Sequence, residues 1–190
     1  MPDIFKAIGY MNTMNCTRVV ILVTCFLSSR GVIQADILVS SRFSNNVLQY
    51  DRDTGAFVGV FAQGPELVNP NGIAFGADGN LYVGLGDSGG VLRYDGTSGA
   101  FIGTFVASGS GGLGGVRDMV FGPDGDLYVA SGTTDQVLRF DGATGSFLGI
   151  AAAGNGLDGP VGLAFAPDGR LFVGAALSTE VLVYDSGVFE

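Results

Sequence analysis

The chain of 190 residues has no histidine, no tryptophan, one lysine and two cysteines. Without an imidazole, the Ser-His-Asp and Cys-His arrangements of nucleophilic catalysis have no general base. The lysine is Lys6 and the cysteines are Cys16 and Cys25, so all three fall within the first 35 residues. Beyond them the chain offers no thiol nucleophile, no thiolate metal ligand, no disulfide and no P-loop lysine. Cations are scarce as well. From Asp36 onward six arginines face seventeen acids, a net charge of −11. That balance repels phosphate backbones and anionic lipid, so nucleic acid and membrane surfaces are not expected partners.

The first 35 residues differ in character from the rest. Arg18 precedes the apolar run Val19 to Leu27, and small or polar residues lead to Ala35. This pattern reads as a secretory signal peptide over 1–35, cut after Ala35, which places the protein outside the cell or in a periplasm. The run is shorter than the ~20 residues of a membrane span. The competing reading is a buried N-terminal helix.

What the chain has in abundance is glycine, 33 residues, and a repeated phrase. Val47-Leu48-Gln49-Tyr50-Asp51 recurs as Val91 to Asp95, Val137 to Asp141 and Val181 to Asp185, at spacings of 44, 46 and 44 residues. A fixed period of this size signals a propeller, a solenoid or an array. Each repeat divides into four short β-type runs, a to d, bounded by turns such as Pro123-Asp124-Gly125 and Gly142-Ala143-Thr144-Gly145. From the valine of run b to the first valine of run c is always 8 residues: Val39 to Val47, Val83 to Val91, Val129 to Val137 and Val173 to Val181. Loop length fixes hairpin register, so the constancy predicts one repeated antiparallel sheet. Run c is apolar on both faces, as a sheet sandwiched between like sheets would be. No stretch after Ala35 carries a helical period. The expected fold is all-β: a β-propeller of four-stranded antiparallel blades over 36–190, with about three and a half blades present.

Pro70-Asn71-Gly72-Ile73-Ala74-Phe75 leading to Asp78-Gly79-Asn80-Leu81-Tyr82-Val83 resembles the NHL-type repeat, as do Pro160 to Val173 and Val116 to Ala130. The wider resemblance is to the propellers grouped with gluconolactonase and virginiamycin B lyase, many of them bacterial and secreted, and it covers Asp36 to Glu190. The ring is incomplete in sequence: run a is missing from the first repeat and run d from the last. Either the sequence is part of a longer frame or two chains close the ring as a homodimer.

Several motifs match catalytic patterns in letters only. Gly86-Asp87-Ser88-Gly89-Gly90 copies the pentapeptide around a serine-protease nucleophile, but lacks the histidine and sits in a b–c hairpin loop. Gly84-x-Gly86-x-x-Gly89 and Gly109-x-Gly111-x-x-Gly114 copy the dinucleotide fingerprint, but neither opens a helix. Asp51-Arg52-Asp53-Thr54-Gly55 starts like a calcium loop. Its sister turns, from Asp95 and Asp141, have no second acid, and the simple reading is an Asp whose side chain bonds the backbone that follows.

Antiparallel order puts a–b and c–d turns at one end of the blades and b–c and d–a loops at the other. The first set is repetitive, the second varies, and variable loops on a rigid scaffold are where binding resides. Run a is innermost in propellers, so its opening residues rim the channel on the variable side. Aligned on Phe75, Phe121 and Phe165, these are Asn71, Arg117 and Val161, then Gly72, Asp118 and Gly162. Arg117 and Asp118 are the charged exceptions, and Glu66 and Asp158 lie just upstream in their loops. The resemblance to gluconolactonase implies a divalent cation, Ca²⁺ or Mg²⁺, and Asn71 and Asp118 are the positions that could hold it. The lyase branch uses a catalytic histidine, which this chain lacks. The readings are therefore a secreted, non-catalytic binding or scaffold module for a protein, carbohydrate or small molecule, or a metal-dependent lactonase- or lyase-like enzyme. On the first, Arg117 and Asp118 only tie loops together around the channel.

Overall fold

Short β-branched runs joined by turns that glycine or Pro-Asp-Gly can make leave each repeat one compact solution, an antiparallel meander. A computed structural model describes residues 19–23, 36–178 and 180–185. The first blade holds β1 (Val19–Val23), β2 (Ile37–Ser41), β3 (Asn46–Tyr50) and β4 (Phe57–Gln63). The second holds β5 (Pro70–Phe75), β6 (Leu81–Leu85), β7 (Val91–Tyr94) and β8 (Phe101–Val106). The third holds β9 (Val116–Phe121), β10 (Leu127–Ser131), β11 (Gln136–Phe140) and β12 (Phe147–Ala153). The fourth holds β13 (Pro160–Phe165), β14 (Leu171–Ala175) and β15 (Val181–Tyr184). Strands follow chain order within every sheet and pair antiparallel. Among the described residues there is no α-helix, and no helix long and apolar enough to cross a membrane. The molecule is a partial β-propeller.

The register repeats from blade to blade. Phe75, Phe121 and Phe165 pair with Leu81, Leu127 and Leu171, while Ile73, Met119 and Leu163 pair with Val83, Val129 and Val173. The first blade departs from expectation. Its inner strand is present and comes from Val19–Val23, with Ile21 opposite Val39 and Val23 opposite Ile37. Thirteen residues separate β1 from β2, whereas five, Gly76 to Asn80, separate β5 from β6. The strand lies inside the stretch that reads as a leader; there it is a strand and not the alternative helix. Cleavage after Ala35 would remove it. Ala35, both cysteines and the last residues, 186–190, lie outside the described residues.

The core is three inter-blade layers of one design. Leu38, Val47 and Ala62 of blade one meet Ile73, Leu81, Val83, Leu92 and Tyr94 of blade two. Ala74, Tyr82, Val91 and Val106 meet Met119, Leu127, Val129, Leu138 and Phe140. Tyr128, Ala130, Val137 and Ala152 meet Leu163, Leu171 and Val173. Val47, Val91 and Val137 of strand c therefore face the next blade, and the leucine and aromatic of strand c in blades two to four face the one before. Each d–a loop also drops one leucine into its layer: Leu67, Leu113 and Leu157. Each such side chain, buried, contributes ~1.5–3 kcal/mol. Tyr82 is packed edge-on between Phe105 and Phe121, at centroid distances of 4.7 and 5.0 Å. The Tyr82 and Tyr128 hydroxyls donate to Asp78 and Asp124 of their own a–b turns.

The c–d turns close as the sequence implies. Asp51, Asp95 and Asp141 each accept from two following backbone N–H groups and from the hydroxyl of Thr54, Ser98 or Thr144. That hydroxyl bond, helped by the N–H bonds, holds each carboxyl below its usual range. These oxygens are engaged in turn closure, which is the simple reading of the calcium-like sequence.

Candidate functional site

The two sets of connections converge at opposite ends, as alternation requires. At one end the a–b and c–d turns touch: Gly142 N–H donates to Asp126, and Arg139 bridges Asp124 and Asp126 at 2.9 and 2.7 Å. At the other end, b–c loops lean on the d–a loop that enters their blade. The backbone N–H groups of Gly86, Gly132 and Ala176 donate to the carbonyls of Asn69, Gly115 and Gly159, at 2.8, 3.0 and 2.8 Å. A second tie comes from the b–c loop of the preceding blade. Asn45 and Asp135, both at positive φ, accept from Asn69 N–H and Gly159 N–H. In blade two that position is Gly89, and there the loop backbones come into direct contact. A Cβ on Gly89 would stand 2.4 Å from the Gly114 carbonyl oxygen.

Asn71 and Asp118 lie where the innermost strands meet, and both are buried. Asn71 Nδ2 donates to the Val116 carbonyl at 3.1 Å, joining blade two to blade three. Asp118 Oδ2 accepts from Leu163 N–H at 2.9 Å, joining blade three to blade four. The strands approach closely here, since a Cβ on Gly72 would sit 2.8 Å from Asp118 Cα. Arg117 is half-buried and lies along Gly132 of its own b–c loop, where a Cβ would meet its Nε at 2.3 Å. Glu66 is half-buried and folds its carboxylate over Gly64 within its loop, and its charge adds to burial in pushing up the Tyr94 phenol. Asp158 is exposed, and its carbonyl accepts from Leu177 N–H. Asn71 and Asp118 thus share the inner-strand layer, while Glu66 and Asp158 belong to separate loops.

This pair does not fit a divalent cation on its own. Calcium takes 6–8 oxygen ligands and magnesium near-octahedral oxygens. With Asn71 Nδ2 bonded to Val116, its Oδ1 is the one ligand atom Asn71 can offer, and Asp118 already commits one oxygen to Leu163 N–H, so two side chains fall well short of such a set. Among the described residues no three acids, histidines or cysteines come close enough to hold a metal.

A cluster that the channel-rim alignment misses stands on the variable end, between blades one and two. Arg42 donates through Nε to Asn69 Oδ1 at 3.2 Å and through its terminal nitrogen to Asp87 Oδ1 at 2.9 Å. Asn69 Nδ2 donates to the other Asp87 oxygen. Asp87 is 60% exposed and Arg42 23%. Phe43, 69% exposed, adjoins Arg42 on the same loop. The signal was in the repeat: Arg42 stands where the sister loops have Gly86, Gly132 and Ala176. Asp87 is the acid of the protease-like pentapeptide. Its neighbour Ser88 is exposed on the same b–c hairpin loop, which joins two strands and opens no helix.

Solved structures share this fold. The chain is similar to hydrazine synthase of Kuenenia stuttgartiensis, at 21% identity and TM-score 0.62, over 79% of this chain and 42% of that one. It is similar to a catalytically inactive His-to-Ala variant of virginiamycin B lyase from Staphylococcus aureus with quinupristin, at 15% identity and TM-score 0.62, over 94% and 59%. It is also similar to a protein assigned to the gluconolactonases, at 18% identity and TM-score 0.62, over 78% and 55%. The chain spans about half the length of these structures. No family profile and no curated protein sequence matches it.

Proposed function

We propose that the chain is a secreted binding or scaffold module that engages its ligand through the b–c and d–a loops and performs no covalent chemistry. The observation that carries this reading is the Arg42–Asn69–Asp87 cluster with Phe43 beside it. Loops from two blades there present a cation, an acid, an amide and an exposed ring on a rigid support, a combination suited to a polar ligand such as a carbohydrate or a peptide. The opposite end repeats one Asp-closed turn in three blades and offers no such variety. The absence of histidine, and of cysteine and lysine after residue 35, supports the non-catalytic part.

Screening the chain against carbohydrate and peptide arrays tests the reading. A bound class should be lost in the double variant Arg42→Ala/Asp87→Ala. Binding that survives the double variant would place the ligand elsewhere. The competing metal-dependent, lactonase- or lyase-like reading would use Ca²⁺ or Mg²⁺ at Asn71 and Asp118, with further oxygens from sheets beyond these four.

Export rests on the leader pattern, Arg18 followed by the apolar run to Leu27 and the small residues before Asp36. On this reading the exported protein begins at Asp36 and has lost β1. N-terminal sequencing of the product decides it. A first residue ahead of Val19 would keep β1 in blade one and overturn export by this cleavage.

A further inference from the structure

The chain contains two Asn-Gly pairs, Asn71-Gly72 and Asn155-Gly156, and the fold gives them opposite surroundings. In this dipeptide the glycine nitrogen has no side chain crowding it and can attack the asparagine side-chain amide. Access and freedom of movement decide whether it does. Asn71 is buried, and its Nδ2 donates to the Val116 carbonyl at 3.1 Å. Gly72 is pressed against the next inner strand, where a Cβ would stand 2.8 Å from Asp118 Cα. Ring closure there would break a tie between blades.

Asn155 and Gly156 stand on the d–a loop that enters blade four, and both are exposed. They are the central residues of a turn that Leu157 N–H closes on the Gly154 carbonyl at 2.9 Å. Both have positive φ, +52° and +82°, the backbone that Asn-Gly adopts most readily in tight turns. The sister turns, closed by Leu67 N–H on Gly64 and Leu113 N–H on Ser110, hold Pro65-Glu66 and Gly111-Gly112 instead. Among the described residues nothing accepts from Gly156 N–H, and nothing bonds the Asn155 side chain. A Cβ on Gly156 would meet no atom within 4 Å, so the turn is open on that side.

We propose that Asn155 is a site of spontaneous covalent modification, the Asn-Gly pair that the folded chain leaves reactive. The Gly156 nitrogen bonds to Asn155 Cγ and gives up its proton. The Cγ–Nδ2 bond breaks, and the side-chain nitrogen leaves as ammonia with that proton, which yields a cyclic succinimide. Water then adds to one of the two ring carbonyls. Opening at Cγ gives aspartate, and opening at the backbone carbonyl gives isoaspartate. Overall a water enters, an ammonia departs and no electrons change hands. Either product adds a negative charge to the loop that carries the exposed Asp158, on the variable end of the blades. Isoaspartate also lengthens by a methylene the backbone of the turn that seats Leu157 in its layer.

Incubating the full chain in mildly alkaline buffer, folded and in urea, and mapping its peptides by mass spectrometry reads both pairs together. In urea the two pairs should convert at comparable rates. In the folded chain Asn71 should fall at least about tenfold behind Asn155, because a buried, bonded amide reacts only through local opening. Ion exchange should show a more acidic form growing in the wild type. Asn155→Gln should not form it, since the longer side chain must close a larger and slower ring. Equal folded-state rates at the two pairs would overturn the proposal, as would an Asn155 that stays intact while the chain in urea converts. An acidic form that grows undiminished in Asn155→Gln would also overturn it.

Discussion

Gly99→Ala should destabilise the chain by about 2–5 kcal/mol, more than Gly55→Ala, although the two glycines occupy the same position of the same turn. Both adopt the left-handed backbone, with φ of +70° and +68°. An alanine there costs ~1–2 kcal/mol for the conformation alone. What differs is the neighbour. A Cβ on Gly99 would stand 1.7 Å from the Phe61 carbonyl oxygen of the preceding blade, and one on Gly145 2.1 Å from that of Phe105. A Cβ on Gly55 would meet nothing within 4 Å. Forcing the blades apart adds the ~1–3 kcal/mol of overpacking. Urea unfolding of the three alanine variants should place Gly145→Ala beside Gly99→Ala, with Gly55→Ala losing only the ~1–2 kcal/mol of the backbone conformation. Equal losses at Gly55 and Gly99 would mean that the blades do not close on these turns.

Asp118→Ala should cost about 2–3 kcal/mol, while Asp118→Asn should cost about 1 kcal/mol or less. The alanine strips Leu163 N–H of its acceptor where the inner strands meet, and an orphaned buried donor bears its full desolvation cost. Asparagine keeps an oxygen in place. If the residue is a tie between blades, millimolar Ca²⁺ or Mg²⁺ should leave the unfolding temperature unchanged in the wild type. A rise that disappears in Asp118→Asn would instead make it a metal ligand.

Much of the fold is legible because a propeller is written in a local code. The fixed distance from Val83 to Val91 and its sisters sets the hairpins, and the aspartates at 51, 95 and 141 set the turns. Apolar residues on both sides of strand c announce a blade between blades, and the buried Val91 and Leu92 meet opposite neighbours. The inner strand of blade one was hidden for a physical reason. Val19–Val23 has neither the Gly-Ile-Ala-Phe pattern of β5 nor its five-residue turn, and a short apolar run looks the same as a leader core or as a buried strand. Asn71 and Asp118 stood out in the sequence, but the partners they bond did not. Asn71 and Asp118 reach 45 residues along the chain to partners in the next blade, a relation fixed only by how the strands pack. Arg42 needed no structure to be noticed, only comparison of b–c loops as well as inner strands.

Whether binding belongs to the end where the repeats disagree is decided most directly by one affinity comparison. For whichever carbohydrate or peptide binds on the arrays, calorimetry on Asp87→Ala and on Asp78→Ala samples an acid at each end. Asp78 holds Tyr82 and Asn80 at the a–b end, and Asp87 faces solvent at the other. Binding through the loop face predicts a loss of about tenfold or more in Asp87→Ala, roughly 1.4 kcal/mol, and an affinity within about twofold of wild type in Asp78→Ala. The reverse pattern, affinity lost at Asp78 and kept at Asp87, would contradict it.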